Sequence, residues 1–102
     1  MPTIAQLEKL LSLDPNDPFV HYGLGQEHAN ADDHEQAIAC YTKALELDPD
    51  YLYAYFFKGQ SLHDLGRTDD AKVVIQAGIA AANKINDGHA ASELSGLLDS
   101  LA

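Results

Sequence analysis

One turn appears twice in this chain, and its spacing constrains the fold more than any other feature. Leu13-Asp14-Pro15-Asn16-Asp17 returns as Leu47-Asp48-Pro49-Asp50-Tyr51, and the two prolines stand 34 residues apart. In the same register Leu24-Gly25 falls on Lys58-Gly59, Ala37 on Ala71, Tyr41 on Ile75 and Ala44 on Gly78. A fixed period of roughly 20 to 50 residues is the signature of stacked repeats, each of which covers its apolar face with its neighbour.

Within the period apolar residues return at three and four positions, which is helical spacing and not the alternation of a strand. Each period therefore holds two antiparallel helices. The first, over about 18–31, starts with Asp17 as cap and Pro18 at the first helical position, where a missing amide hydrogen costs nothing. The second, over about 33–47, carries Ala37, Ile38, Tyr41, Ala44 and Leu45 on one stripe, with Asp32 and Glu35 spaced as a reciprocal cap; Pro49 stops it. The third, over about 50–65, ends at Gly66, which suits a left-handed cap, and the fourth, over about 68–85, stacks Ala71, Val74, Ile75, Gly78, Ile79 and Ala82.

Two more helices flank these four. Thr3 and Gln6 are spaced as a capping box ahead of the stripe Ile4, Leu7, Leu10 and Leu11, which reads as the second helix of an incomplete repeat. After Asn86-Asp87-Gly88, the stripe Leu94, Leu97, Leu98 and Leu101 reads as a cap over the last repeat. The expectation is one all-α domain of about six helices over 1–102. A half-repeat helix fills 1–15, repeats fill 18–51 and 52–85, and a capping helix fills 87–102.

Charge narrows the partners. Sixteen acidic residues against six basic ones give a net charge of -10, which nucleic acid and an anionic membrane surface both repel. The single cysteine, Cys40, excludes an intrachain disulfide and fits a reducing cytoplasm. No apolar run approaches the length that crosses a bilayer, and no leader pattern opens the chain, so a cytoplasmic location is expected.

Residues 18 to 83 resemble the tetratricopeptide repeat, whose pattern is W-x2-L-G-x2-Y, then A-x3-F, then P. The segment from Ala37 to Pro49, with Tyr41 and Ala44 in register, carries most of the likeness. In the second repeat Tyr55 replaces the tryptophan, Lys58 the leucine, Leu62 the tyrosine and Asn83 the proline, so its second helix is expected to run on toward Ile85. His21 and His28 stand where the pattern has aromatics, which implies a less fully buried face there. The resemblance implies a right-handed superhelix and a non-enzymatic module that binds protein or peptide.

Little in the sequence supports catalysis. His21 and His28 lie too far apart on one helix to share a metal, and no His-Glu-x-x-His string occurs, so structural or surface histidines account for them. Cys40 has no neighbouring histidine or basic pair to activate it. Asp32-Asp33 and Asp69-Asp70 fall in turns and first helical turns, where they suit the helix dipole, and neither has the alternating ligands of a calcium loop. Phosphate-loop and nucleophile-elbow motifs are absent. No catalytic residue, metal or cofactor is expected.

The first helices of the repeats line a groove in the resembling family. By register that groove shows Phe19, Tyr22, Gln26, Ala29 and Asn30, and from the next repeat Tyr53, Phe56, Gln60, His63 and Asp64. Rings and amides at these places suit peptide recognition. Packing of Phe19, Tyr22 or Phe56 under the C-terminal helix or a neighbouring subunit is the other reading. Some family members clamp a C-terminal carboxylate with basic residues; Tyr22, Gln26, Phe56 and Gln60 include none, so a carboxylate clamp is not expected, and with so acidic a surface a neutral or basic segment is the expected ligand. Self-assembly as a homodimer is the second functional reading, and a small enzyme the third.

Overall fold

The computed structural model describes residues 2–101. Six helices follow one another, α1 (Ile4–Leu13), α2 (Pro18–Asn30), α3 (His34–Leu47), α4 (Leu52–Asp64), α5 (Thr68–Lys84) and α6 (Gly88–Ser100), with no strand among the described residues. Local chemistry sets most of these ends. Thr3 and Gln6 form the capping box, Asp17 accepts from the amide of Phe19 at 3.0 Å, and Asp87 accepts from that of Ala90 at 3.0 Å. The expected Asp32–Glu35 cap does not form. Asp32 lies in the left-handed region at φ 60°, and Asp33 caps α3 instead, accepting from the amide of Gln36 at 3.4 Å.

The turns repeat as faithfully as the helices. Asp32 and Gly66, 34 residues apart, both adopt positive φ, and the following amides close the turns by reaching back across the helix ends. Asp33 donates to the carbonyl of His28 at 2.8 Å, and Arg67 to that of Leu62 at 2.8 Å. Asp14 and Asp48 each accept from the amide two residues on, at 3.1 and 3.0 Å, shaping the proline turns. Above these turns Nε2 of His21 meets the Pro15 carbonyl at 2.8 Å, and the Tyr55 hydroxyl donates to the Pro49 carbonyl at 2.6 Å. A carbonyl only accepts, so Nε2 of His21 carries the proton.

Each repeat is a hairpin, α2 on α3 and α4 on α5, with α3 also against α4 and α6 laid on α5 and α4. Small residues set the closeness of the hairpins. A Cβ at Gly25 would stand 2.5 Å from the ring of Tyr41, and one at Gly59 2.6 Å from Cγ1 of Ile75, the same contact one period later. Tyr41, Ile75 and Leu94 are fully buried beneath. The helix α5 ends at Lys84, past Asn83, where the closing proline is missing.

Candidate functional site

The helices α2 and α4 lie side by side and present matching residues outward. Phe19 is 65% exposed and Tyr53 47%, although both are large and apolar. Further along, Gln26, Asn30, Gln60 and Asp64 border a cleft of about 190 Å³ whose floor includes Tyr41, Phe57, Ser61 and His34. The Tyr41 hydroxyl donates to Oε1 of Gln26, which leaves that side chain's amide hydrogens for another acceptor.

Beneath the cleft lies an aromatic cluster. Tyr22 stacks at tilted angles on Tyr51, Tyr41 and Phe57, with ring centroids 4.9, 5.9 and 6.2 Å away. Burial, then the neighbouring Tyr51 and Tyr53 hydroxyls, push the Tyr22 pKa up to about 12. Burial, with Tyr22 and Cys40, raises Tyr41 still further. These phenols stay neutral in ordinary buffers and act as hydrogen-bond groups. Cys40 is raised as well, by burial and then by Asp33 and Glu8, the opposite of an activated thiolate.

Acidic groups collect at one end of the cleft. His34 meets the Ser61 hydroxyl through Nδ1 at 3.2 Å, while its Nε2 lies 3.9 Å from Asp32 and 3.8 Å from Asp64. The neighbouring cation, Arg67, is turned away onto Glu35 at 2.8 Å. The local field therefore favours a positive or neutral visitor.

Of the residues expected on this face, Phe19, Tyr53, Gln26, Asn30 and Gln60 lie at its surface. Tyr22 is half-buried in the aromatic cluster, and Phe56 is half-buried between α4 and α6, edge-on to Phe57 at 5.1 Å. His63 is exposed, but its Nδ1 is engaged 3.1 Å from the Thr68 hydroxyl at the start of α5. His34 and Ser61 border the cleft and were not legible as groove residues. Both face it from positions to which the repeat pattern assigns no residue type.

Models of the tetratricopeptide repeat match residues 18–51 and 40–73, together more than half of the chain. The chain belongs to the tetratricopeptide repeat family. An uncharacterized protein of Methanocaldococcus jannaschii is 38% identical over 60 residues, 59% of this chain and 70% of that protein. Superkiller protein 3 of Saccharomyces cerevisiae is 36% identical over 64 residues, 63% of this chain, and the match spans only 4% of its length. Among solved structures, a tetratricopeptide repeat domain protein from Salinibacter ruber is 35% identical with a TM-score of 0.76, covering 83% of this chain and 94% of that one. The TPR2B-domain:pHsp70 complex of yeast Sti1 has the same repeat fold at 21% identity, with a TM-score of 0.90 over 96% of this chain and 78% of that chain. No helix among the described residues is long and apolar enough to cross a membrane.

Proposed function

We propose that the two repeats, 18–51 and 52–85, act as one non-enzymatic binding unit whose cleft between α2 and α4 receives a peptide segment of a partner protein. The repeat-matched pairs Phe19 with Tyr53 and Gln26 with Gln60 carry this reading. Exposed rings supply contact area at low entropic cost, and free amide hydrogens pair with a peptide backbone. The similar Sti1 domain, solved with pHsp70, supports a peptide as ligand. The acidic rim made by Asp32 and Asp64 and the net charge of -10 favour a neutral or basic segment.

A peptide array of neutral, basic and acidic segments, followed by amide-shift mapping of a binder, tests this. Shifts at Gln26, Asn30, Gln60 and Asp64 on adding a basic or neutral peptide are the expected result. Binding that leaves these amides unmoved, or a preference for acidic peptides, overturns it.

A further inference from the structure

The second helices of the two repeats, α3 and α5, both pack on α4 but not on each other. Between them lies a cavity of about 320 Å³, and two departures from the family pattern line it. Tyr55 stands where the pattern has tryptophan and Lys58 where it has leucine, so a smaller ring and a charged side chain occupy places that large apolar ones otherwise fill. One period earlier that leucine is present as Leu24, which is buried. Tyr55 is held in place: Gly78 lies against its Cβ, and its hydroxyl donates to the Pro49 carbonyl at 2.6 Å.

The walls of the cavity are aliphatic, from Leu45, Val74, Ala77 and Val73, the last of which is 65% exposed. Most of its polar groups are already engaged. Thr42 donates to the Ile38 carbonyl at 2.7 Å, Tyr55 to that of Pro49, and Glu46 pairs with Lys43 at 3.8 Å. Lys58 is the exception, half-buried and without an ion pair among the described residues. Its ammonium is not sealed from solvent, since among the described residues only Glu27 has a buried side-chain polar atom without a partner. Burial, opposed by Glu46, pulls the Lys58 pKa below the usual lysine range, and an anion beside it would restore the charged form.

We propose that this cavity binds a small amphiphile with one carboxylate, its alkyl chain along Leu45, Val73, Val74 and Ala77 and its head on Lys58. Small-molecule pockets are mostly apolar, about 300 to 1,000 Å³ in volume, with a few polar groups that fix orientation. A peptide is the poorer occupant, because neither hydroxyl hydrogen in the cavity is free to meet its backbone carbonyls. An anionic membrane is repelled by the net charge of -10. Glu46 at the rim opposes the head group and so limits its affinity. The site shares no residue with the cleft between α2 and α4, and it does not depend on peptide binding there.

Octanoate, hexanoate and octanol, each titrated into the full chain with amide shifts as the readout, test the proposal. Octanoate should move Leu45, Lys58, Val73 and Ala77 while Asn30, Gln60 and Asp64 stay still. Hexanoate, two methylenes shorter, should bind about tenfold more weakly, and octanol, which lacks the charge, about fivefold more weakly. Lys58→Gln should erase the preference for octanoate over octanol, and Glu46→Gln should tighten octanoate about twofold. Ala77→Phe, at an exposed position, should block both ligands with helicity unchanged. No binding at millimolar octanoate, equal affinities for octanoate and octanol, or a preference that survives Lys58→Gln overturns the proposal. Octanoate shifts confined to the α2–α4 cleft overturn it too, and an acidic peptide that moves the same amides at lower concentration overturns it in favour of a protein partner.

Discussion

Tyr41 donates its hydroxyl to Oε1 of Gln26, so a side chain with no exposed surface is tied directly to one that borders the cleft. The same ring packs against Gly25, one residue before its hydrogen-bond partner. Fold and groove therefore share an anchor. Tyr41→Phe keeps the ring and the glycine contact and removes only the hydrogen bond, which is worth about 1 kcal/mol net. The melting temperature should fall by about 5 °C with unchanged helicity, since that is the scale of a 1 kcal/mol loss in a domain of this size. Gly25→Ala should cost more, about 1 to 3 kcal/mol, because its Cβ would overlap the ring.

Asp32 and Gly66 hold equivalent left-handed turns with different residues. Glycine adopts that conformation without steric penalty, while a residue with a Cβ does not. Asp32→Gly is expected to stabilise the chain by about 0.5 kcal/mol, after allowing for the larger entropy of glycine in the unfolded state. Its carboxylate is 96% exposed and 3.9 Å from His34, so losing it costs little. A urea titration reads the result, and a lower midpoint in the variant would refute it.

The helices and turns were legible because they rest on local rules that repeat: proline turns, capping aspartates, small residues at close crossings and apolar stripes at 3.6-residue spacing. What the spacing could not show is which way a half-exposed ring leans. Tyr22 and Phe56 occupy the same register as each other, yet one sits in an aromatic cluster and the other under α6, a contact made by a helix outside the repeats. The cap of α3 shifted from Asp32 to Asp33 for a similar reason. The left-handed turn uses up Asp32 and leaves the next residue to cap.

The C-terminal helix closes the core of the second repeat. Leu94 is 1% exposed and Leu101 5%, and they share a cluster with Ile75 and Ala82. Fully burying a leucine is worth about 1.5 to 3 kcal/mol against a total stability of about 5 to 15. Ending the chain at Gly88 should give an aggregating or non-cooperative product, and Leu94→Ala alone should cost about 3 kcal/mol. An unchanged, cooperative melt of the truncated chain would show α6 to be dispensable.

Alkaline stability should follow the buried phenols. Tyr22 is raised from 10.0 to about 12, chiefly by burial, and Tyr41 is raised too. Between those values the unfolded chain has released a proton that the folded chain retains, so unfolding is favoured as pH rises. The contribution is intact below pH 10 and is lost as pH passes through about 12. In an absorbance titration, these phenols should ionise late and together with the loss of helical signal. Complete ionisation of all five tyrosines near pH 10 with the helices intact would contradict the burial of this cluster.

The last prediction separates the cleft from the cluster beneath it. Phe19 and Tyr53 are large, exposed, and equivalent on successive first helices, whereas Tyr22 and Phe56 are half-buried against other rings and helices. Truncating an exposed ring removes little from the fold, and truncating an interface anchor commonly costs 2 kcal/mol or more of binding. Phe19→Ala with Tyr53→Ala should therefore weaken a bound peptide at least thirtyfold while moving the melting temperature by a degree or two. Tyr22→Ala and Phe56→Ala should each instead destabilise the fold by about 2 kcal/mol, roughly half the cost of emptying a fully buried aromatic site. Thermal melts beside binding isotherms for the three variants decide the matter. Unweakened binding in the Phe19 and Tyr53 double variant, with the fold intact, would remove the exposed rings from the recognition surface.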